Sequence, residues 1–352
     1  MGAARHMDDA NATVHIQAGE RAGITYRRYD FHEEDHLPLI RLKEAVYGAP
    51  VERSRWEWQY LRSPFSRDIQ VFVAECGTEL AGATTRLPFD LRREGKTVRA
   101  YFSVDSMVHQ SYRRRGIMKS LYRQTTDVMP LLYSKGTNSG MYELLIELGY
   151  KVVQPNTYLV NYLSPWKIAL QRYNLYKAAP LSSDQGARED GFEPVRTFGQ
   201  EFDDFWAQVA GAFPGIVVKD SAYMNWRYVD IPHKKYHLYY KVKEGRIVCA
   251  LVLRTGGYAC WIVDLIWDPG VGDEPGATLR AWVRALKEQG YLKVICWGTL
   301  RQFRDALTRA GFVDRRDSPR FSVFSSPETI AAHADGAPLH FVEGDGDSEY
   351  LA

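Results

Sequence analysis

Two stretches of the chain alternate between apolar and polar positions and predict β-hairpins. Residues 69–74 and 80–87 flank a polar turn at Cys76-Gly77, and residues 236–242 and 247–253 flank another at Glu244-Gly245. A period of two sends successive side chains to opposite faces of a sheet, and glycine suits the turn between strands. A third segment changes period along its length. Residues 101–128, Y-F-S-V-D-S-M-V-H-Q-S-Y-R-R-R-G-I-M-K-S-L-Y-R-Q-T-T-D-V, begin as a strand of small and apolar residues and then pass through a basic turn at residues 113–116. Ile117, Leu121, Tyr122 and Thr125 recur beyond it at helical spacing, which predicts an amphipathic helix.

These elements come twice. The run W-E-W-Q-Y-L-R-S-P at 56–64 is answered by M-N-W-R-Y-V-D-I-P at 224–232, so that Trp58, Tyr60 and Pro64 recur 168 positions later as Trp226, Tyr228 and Pro232. Each copy precedes a hairpin, and each half closes on a short helix followed by Gly149-Tyr150 or Gly311-Phe312. An ordered series of this kind predicts two modules of one fold. The expected division is a flexible N-terminus over 1–23, a first module over 24–178, a linker over 179–192 where periodicity is lost, a second module over 193–324, and an acidic, solvated tail over 325–352. Trp58 and Tyr60 have counterparts in a half without the basic turn, so they are read as core residues, with Trp56, ahead of a role in stacking on a ligand.

The basic turn carries the candidate chemistry. The start of a helix leaves several backbone N–H groups without intrahelical acceptors and bears a partial positive charge, which together suit an anion. Gly116 lets the backbone approach a ligand with no Cβ in the way, and Arg113, Arg114, Arg115 and Lys119 add positive charge. A pyrophosphate is the natural occupant. The second half has no such turn: D-P-G-V-G-D-E-P-G stands there, and Asp268, Asp273 and Glu274 would repel a pyrophosphate.

The order of elements around this turn resembles the GCN5-related N-acetyltransferase (GNAT) superfamily, including its tandem-module members and those of polysaccharide clusters. Motif A of that family, Q/R-x-x-G-x-G/A after a strand, stands here as Arg113-Arg114-Arg115-Gly116-Ile117-Met118. The strand Leu131-Leu132-Tyr133-Ser134 and the helix ending Glu147-Leu148-Gly149-Tyr150 are similar to motif B. The resemblance covers residues 24–163 well and 193–324 as a worn copy. It implies an α/β (α+β) fold of two tandem modules, each a mixed, mostly antiparallel twisted sheet flanked by helices. It also implies one acetyl-CoA site, in the first module, with the second bracing it. Backbone groups at Met107 and Val108 would hold the pantetheine arm and polarise the thioester carbonyl. His109, residues 113–119 and Asn138 complete the implied cofactor-binding set. The sequence departs from the pattern at Met118, where a second small residue is usual. It departs again at Leu145, where many members have a tyrosine that protonates the departing thiolate; Tyr142, one helical turn earlier, is the candidate for that role.

Composition sets limits on the partners. The 352 residues include 45 basic and 43 acidic side chains, a net charge of +2, so charge favours neither nucleic acid nor an anionic membrane as a partner. No apolar run reaches the length of a membrane span, and the polar start holds no signal-peptide core, so a cytoplasmic location is expected. Cys76, Cys249, Cys260 and Cys296 form no C-x-x-C pair and are read as buried thiols, with no metal site. The expected partner is a small-molecule amine; a homodimer is left open.

Acyl transfer to an amine requires a group that takes the proton of an ammonium with a pKa near 10. Asp105, which interrupts an apolar strand, is the first candidate, since burial favours the protonated form of a carboxylate; a bond to nearby backbone or to Arg99 is its competing structural role. Glu57, between two tryptophans, is a second candidate as base or substrate anchor. Two other readings stay open: an inactive acyl-CoA-binding or partner-binding protein, and an aminoacyl-tRNA-dependent transferase of the doubled fold.

Overall fold

The computed structural model describes residues 23–173, 175, 191–272, 275–326 and 339–346. Residues 1–22, all but the end of the expected linker, Asp273 and Glu274, and the rest of the tail lie outside the described residues.

Strand β1 (Ile24–Tyr29) leads into helix α1 (Leu37–Tyr47) and then a single turn, α2 (Arg53–Trp56), which continues as a π-helical turn over Glu57–Leu61. The first predicted hairpin follows as β2 (Gln70–Cys76) and β3 (Glu79–Arg93), and β3 turns again into β4 (Lys96–Val108). The switch of period is realised as helix α3 (Ile117–Val128), before β5 (Leu131–Ser134), α4 (Ser139–Glu147) and β6 (Lys151–Val152). Alternation along β2 decides which helix covers which face. Val71 and Val73 pack in the core that holds Leu39 and Leu42 of α1, while Phe72 and Ala74 pack in the one that holds Ile117 and Leu121 of α3. The sheet is therefore sandwiched, with α1 on one side and α3 on the other.

After β7 (Leu159–Tyr162) and α5 (Pro165–Arg172), the order repeats. It runs β8 (Phe192–Val195), α6 (Gln200–Val209), β9 (Gly215–Val217), α7 (Ser221–Tyr228), β10 (His237–Lys243) and β11 (Arg246–Gly256). It closes with β12 (Ala259–Trp267), α8 (Gly276–Glu288), β13 (Lys293–Cys296), α9 (Arg301–Arg309), β14 (Val313–Asp314) and β15 (Ser322–Ser325).

The two sheets trade strands. One is ordered β1-β2-β3-β4-β5-β15-β6, with β9 added against β3; the other is ordered β8-β10-β11-β12-β13-β7-β14. Both thus have the same plan, antiparallel apart from one parallel pair, β4 with β5 and β12 with β13. In each, the sixth position is filled by a strand from the other half. Ser322 of β15 pairs with both Ser134 and Val152, and Val160 of β7 with both Ile295 and Val313. The division expected at 179–192 therefore does not divide the sheets. The recurrent tryptophans meet at the join: Trp58 Nε1 donates to the Trp226 carbonyl at 2.6 Å, Trp226 Nε1 donates to the Trp58 carbonyl at 2.9 Å, and the rings stack at 5.2 Å. Each residue does to the other what the other does to it, as in an isologous dimer contact. Trp58 and Tyr60 are each 1% exposed, in agreement with a core role.

The tail corrects an expectation. Residues 339–346 form a strap through the interior: His340 bridges Ile216, Val342 bridges Gly298, and Phe341 packs against Phe89, Phe102, Tyr133 and Phe321. Two of the acidic residues of this tail, Glu343 and Asp345, are buried and paired. Glu343 accepts from Lys135 Nζ at 2.8 Å, and Asp345 lies 3.0 Å from Lys219 Nζ. Acidity was a poor guide because the complementary lysines come from distant parts of the chain. Cys249, Cys260 and Cys296 are buried thiols, whereas Cys76 is only half-buried.

The strap also makes a testable pH effect. His340 is boxed by Phe213, Trp267 and Phe303, and burial, aided by Lys219, pushes its pKa down to about 3. Below the ordinary value of 6.5 the unfolded chain takes a proton there that the folded chain refuses, so this residue withdraws stability as pH falls. Asp345, pushed up to about 6 by burial, acts in the opposite sense. His340→Phe should fit the aromatic box and remove only the first effect. Relative to wild type, the variant is expected to gain about 2 kcal/mol between pH 7 and pH 5, a window of 1.5 pH units below 6.5. Urea midpoints at both pH values that keep a constant spacing would contradict this.

Candidate active site

The parallel strands β4 and β5 pair only at Tyr101 with Leu132 and Phe102 with Tyr133. Beyond that, β4 continues to Val108 without β5 beside it, which opens a wedge in the middle of the sheet. A bulge lies on the open length: between the pairs Ala83–Met107 and Thr85–Val104, β4 spends one residue more than β3. Such an insertion bends the strand and re-aims its side chains. Asp105, in the bulge, has φ +44°. Its side chain goes to the α1 face, and that of Ser106 goes to the α3 face.

A cavity of about 260 Å³ occupies the wedge. Residues 103–106 of β4 and 134–138 at and beyond the end of β5 form its walls, Tyr47 and Gln59 border it from one face of the sheet, and Tyr122 and Met141 border it from the other. Gln59 belongs to the π-helical turn, an irregularity that concentrates at functional sites. Asp105 is the sole carboxylate among the lining residues. Lys43 Nζ donates to it at 2.6 Å and the Tyr60 hydroxyl makes a short bond to the same oxygen. Burial, reinforced by this carboxylate, raises the Tyr60 pKa, so the phenol stays protonated as donor. The second half has the same group: Tyr228 and Lys219 donate to Asp264 at 2.8 and 2.7 Å, beside a matching bulge in β12. Arg99, the alternative partner considered for Asp105, bonds Asp90 and Asp68 instead.

The basic turn lies just past the end of β4. His109 caps a short 3₁₀ turn over Gln110–Tyr112, and its ring accepts from Ser111 N–H at 3.4 Å. Its side chain borders a separate groove of about 380 Å³ with Arg41 and Tyr112, outside the wedge. Arg113, Arg114, Arg115 and Gly116 are exposed, with Gly116 at φ +75° as the cap of α3 and open space where a Cβ would stand. Arg113 Nε donates to the Val108 carbonyl at 3.3 Å, and Arg115 lies over the Tyr112 ring. Ile117 is buried and Met118 half-buried, both on the core side of the helix, so the bulk of Met118 turns away from the exposed backbone donors. Gly82 makes the approach of α3 to β3 possible: a Cβ there would stand 3.0 Å from both Ile117 Cγ2 and the Met107 carbonyl. Met107 and Val108 pair with Ala83 and Gly82. A diphosphate fits this corner on three counts: first-turn N–H groups, an unobstructed Gly116 and three exposed guanidinium groups. In the second half, the Asp268 carboxylate already accepts from Gly270 N–H at 2.8 Å, filling its own turn.

Three of the sequence candidates sit elsewhere than expected. Glu57 is bound by Arg53 and Arg62 at 2.7 and 2.9 Å and does not line the cavity; the helical turn presents Gln59 there instead. Tyr142 lies beside Arg320, and it is Met141 of the same helix that borders the cavity. Lys119 is tied to Glu147 rather than free for an anion. Asn138 lines the cavity and caps α4, accepting from Met141 N–H at 2.9 Å. Sequence reasoning missed Lys43, Lys135 and Arg86, and it read Tyr122 only as part of a helix face. Among the described residues, no helix is long and apolar enough to cross a membrane, and no group of three or more His, Cys, Asp or Glu is placed to hold a metal ion.

Residues 25–131 match the family model described as an acetyltransferase (GNAT) domain. A search of curated proteins by sequence finds no match. Among solved structures, the chain is similar to a conserved protein of unknown function from Enterococcus faecalis V583, with a TM-score of 0.61 at 12% identity over 86% of this chain and 72% of that one. It is similar also to GCN5-related N-acetyltransferases from Anabaena variabilis ATCC 29413 (TM-score 0.59, 13% identity, 85% and 72% covered) and Kribbella flavida (0.56, 15%, 88% and 74%). At these identities the likeness is one of fold, and it spans both halves. The family match thus runs from β1 to the start of β5, so residues 25–131 are similar to a GNAT domain, and the likeness in fold to the solved structures extends over both halves of the chain.

Proposed function

We propose that the protein is an acyl-CoA-dependent N-acyltransferase that moves an acetyl group from acetyl-CoA to a primary amine of a small molecule, such as an amino sugar or sugar nucleotide. The observation that carries this reading is the wedge between β4 and β5, a cavity lined from both faces of the sheet, with the arginine-flanked helix start just past the end of β4. Acetyl-CoA, when bound, supplies a thioester carbonyl for direct attack by the amine in a ternary complex. The first-turn N–H groups of α3 and Arg113–Arg115 would hold its diphosphate, and the open length of β4 offers backbone groups to the arm. A hydroxyl- and amide-rich wall, including Gln59, Ser134, Thr137 and Asn138, suits a polar acceptor. Asp105 orients the incoming ammonium as the one anionic wall group. Since the same Tyr–Asp–Lys group stands in the half without a basic turn, Asp105 acts in positioning, and the amine proton leaves through cavity water. Catalysis then rests on alignment and fixed dipoles.

The test is thiol release from acetyl-CoA in the presence of a panel of primary amines that includes amino sugars and their nucleotides. Release above the rate without amine, for at least one member, is expected. Calorimetric binding of acetyl-CoA with no turnover on any amine would favour an acyl-CoA-binding protein, and no binding at all would remove the reading.

A further inference from the structure

Arg86 is a charged side chain without exposure and, among the described residues, without an anion bonded to it. It is 0% exposed on β3; its guanidinium donates to Thr84 Oγ1 and Thr125 Oγ1 at 2.9 Å each and to the Thr85 carbonyl at 3.5 Å, all uncharged, and its Nε has no partner among the described residues. A buried cation held only by neutral acceptors is costly and calls for a compensating negative charge. The bonds from Arg86 run toward the cavity. Thr84 Oγ1 shares a hydrogen bond with Ser106 Oγ at 2.9 Å, and Ser106 Oγ shares one with the Tyr122 hydroxyl at 2.8 Å. Ser106 and Tyr122 both line the wedge, and the Arg86 guanidinium lies 4.2 Å from the centroid of the Tyr122 ring. The helix position that holds the family tyrosine is here Leu145, fully buried in the apolar core.

We propose that Tyr122 is the group that protonates the departing sulfur, with Ser106 and Arg86 as its positioning residues; this rests on the acyl-transfer reading above. The amine nitrogen forms the new C–N bond, and the C–S bond breaks with its electron pair passing to sulfur. The Tyr122 O–H gives its proton to that sulfur. The phenolate is neutralised by the proton that the acylated nitrogen sheds, carried by cavity water, so that one proton moves from nitrogen to sulfur overall. The negative charge that passes from sulfur to phenolate is the anion that Arg86 lacks at rest. A fixed, buried cation stabilises such a charge with no reorganisation at the moment of reaction.

The experiment compares wild type, Tyr122→Phe and Ser106→Ala with two donors, acetyl-CoA and its selenoester analogue, whose selenol departs readily without a proton. Wild-type thiol release is measured first; its absence with every amine would take away the transferase reading, and the proposal with it. Tyr122→Phe is expected to lower kcat with acetyl-CoA about 100-fold at unchanged KM for the donor, within the range of general acid catalysis, and by less than about 3-fold with the selenoester. Ser106→Ala, which keeps the phenol but cuts the relay, is expected to show a smaller loss with the same dependence on donor. A Tyr122→Phe enzyme with wild-type kcat, or one that loses equally with both donors, overturns the proposal, because a packing role cannot sense the leaving group.

Discussion

The double substitution Arg113→Glu with Gly116→Asp is expected to weaken acetyl-CoA binding by about 100-fold or more and to leave the fold standing. A 100-fold loss corresponds to about 2.7 kcal/mol. It is asked of two new carboxylates placed where a diphosphate would sit, one in exchange for a guanidinium and the other at the cap of α3. At close range, like charges repel by more than this even with partial screening. The fold should tolerate the change for local reasons. Arg113 is exposed, and its bond to Val108 is a long one. A Cβ at Gly116 meets open space, and the strain of φ +75° for a non-glycine residue costs about 1 kcal/mol. Calorimetry beside a thermal scan separates the two outcomes. Undiminished affinity in a folded variant would remove the diphosphate from this corner.

Lys219→Ala carries the largest expected loss of stability, about 3–5 kcal/mol. Lys219 and Asp264 are at most 1% exposed, and the lysine pairs with both Asp264 and Asp345. Its removal strands two carboxylates in an interior that water cannot reach. The counterpart in the first half offers an internal control. Lys43 keeps a 17% exposed side chain against Asp105, so water can stand in for part of the lost ammonium, and Lys43→Ala should cost clearly less. Urea denaturation decides between them. Equal losses, or a Lys219→Ala loss below about 1 kcal/mol, would show that the buried group is not held as its geometry implies.

The parts of this molecule that sequence revealed are those written in local pattern. Alternation at 69–87 and 236–253 gave both hairpins, and the change of period at Gly116 gave strand, turn and helix in order, because each depends on neighbours within a few positions. The Trp58 and Trp226 repeat gave the doubling, since a repeated core leaves a repeated spacing. What stayed hidden depends on distance along the chain. Nothing near Ser322 marks it as a partner of Ser134, since a four-residue strand reads the same whichever sheet it joins. Nothing near Asp345 announces Lys219, and acidity alone pointed toward solvent. The site divides in the same way. The basic corner was legible in Arg113–Gly116, while the cavity wall draws Lys135 from after β5, Gln59 from a helical turn and Tyr122 from the face of a helix that looked wholly given to packing. Glu57 was chosen and Gln59 passed over because a π-helical turn cannot be told from an α-helical one by spacing.

The exchange of β7 and β15 bears on why a half with no basic turn persists. A gene trimmed to the first half would encode a sheet with a gap between its fifth and seventh positions and a loose strand that belongs to its sibling. The second half is therefore not baggage: it lends the first half a strand and borrows one in return. A duplication that has reached this arrangement can lose the second basic turn freely, yet it can no longer be undone.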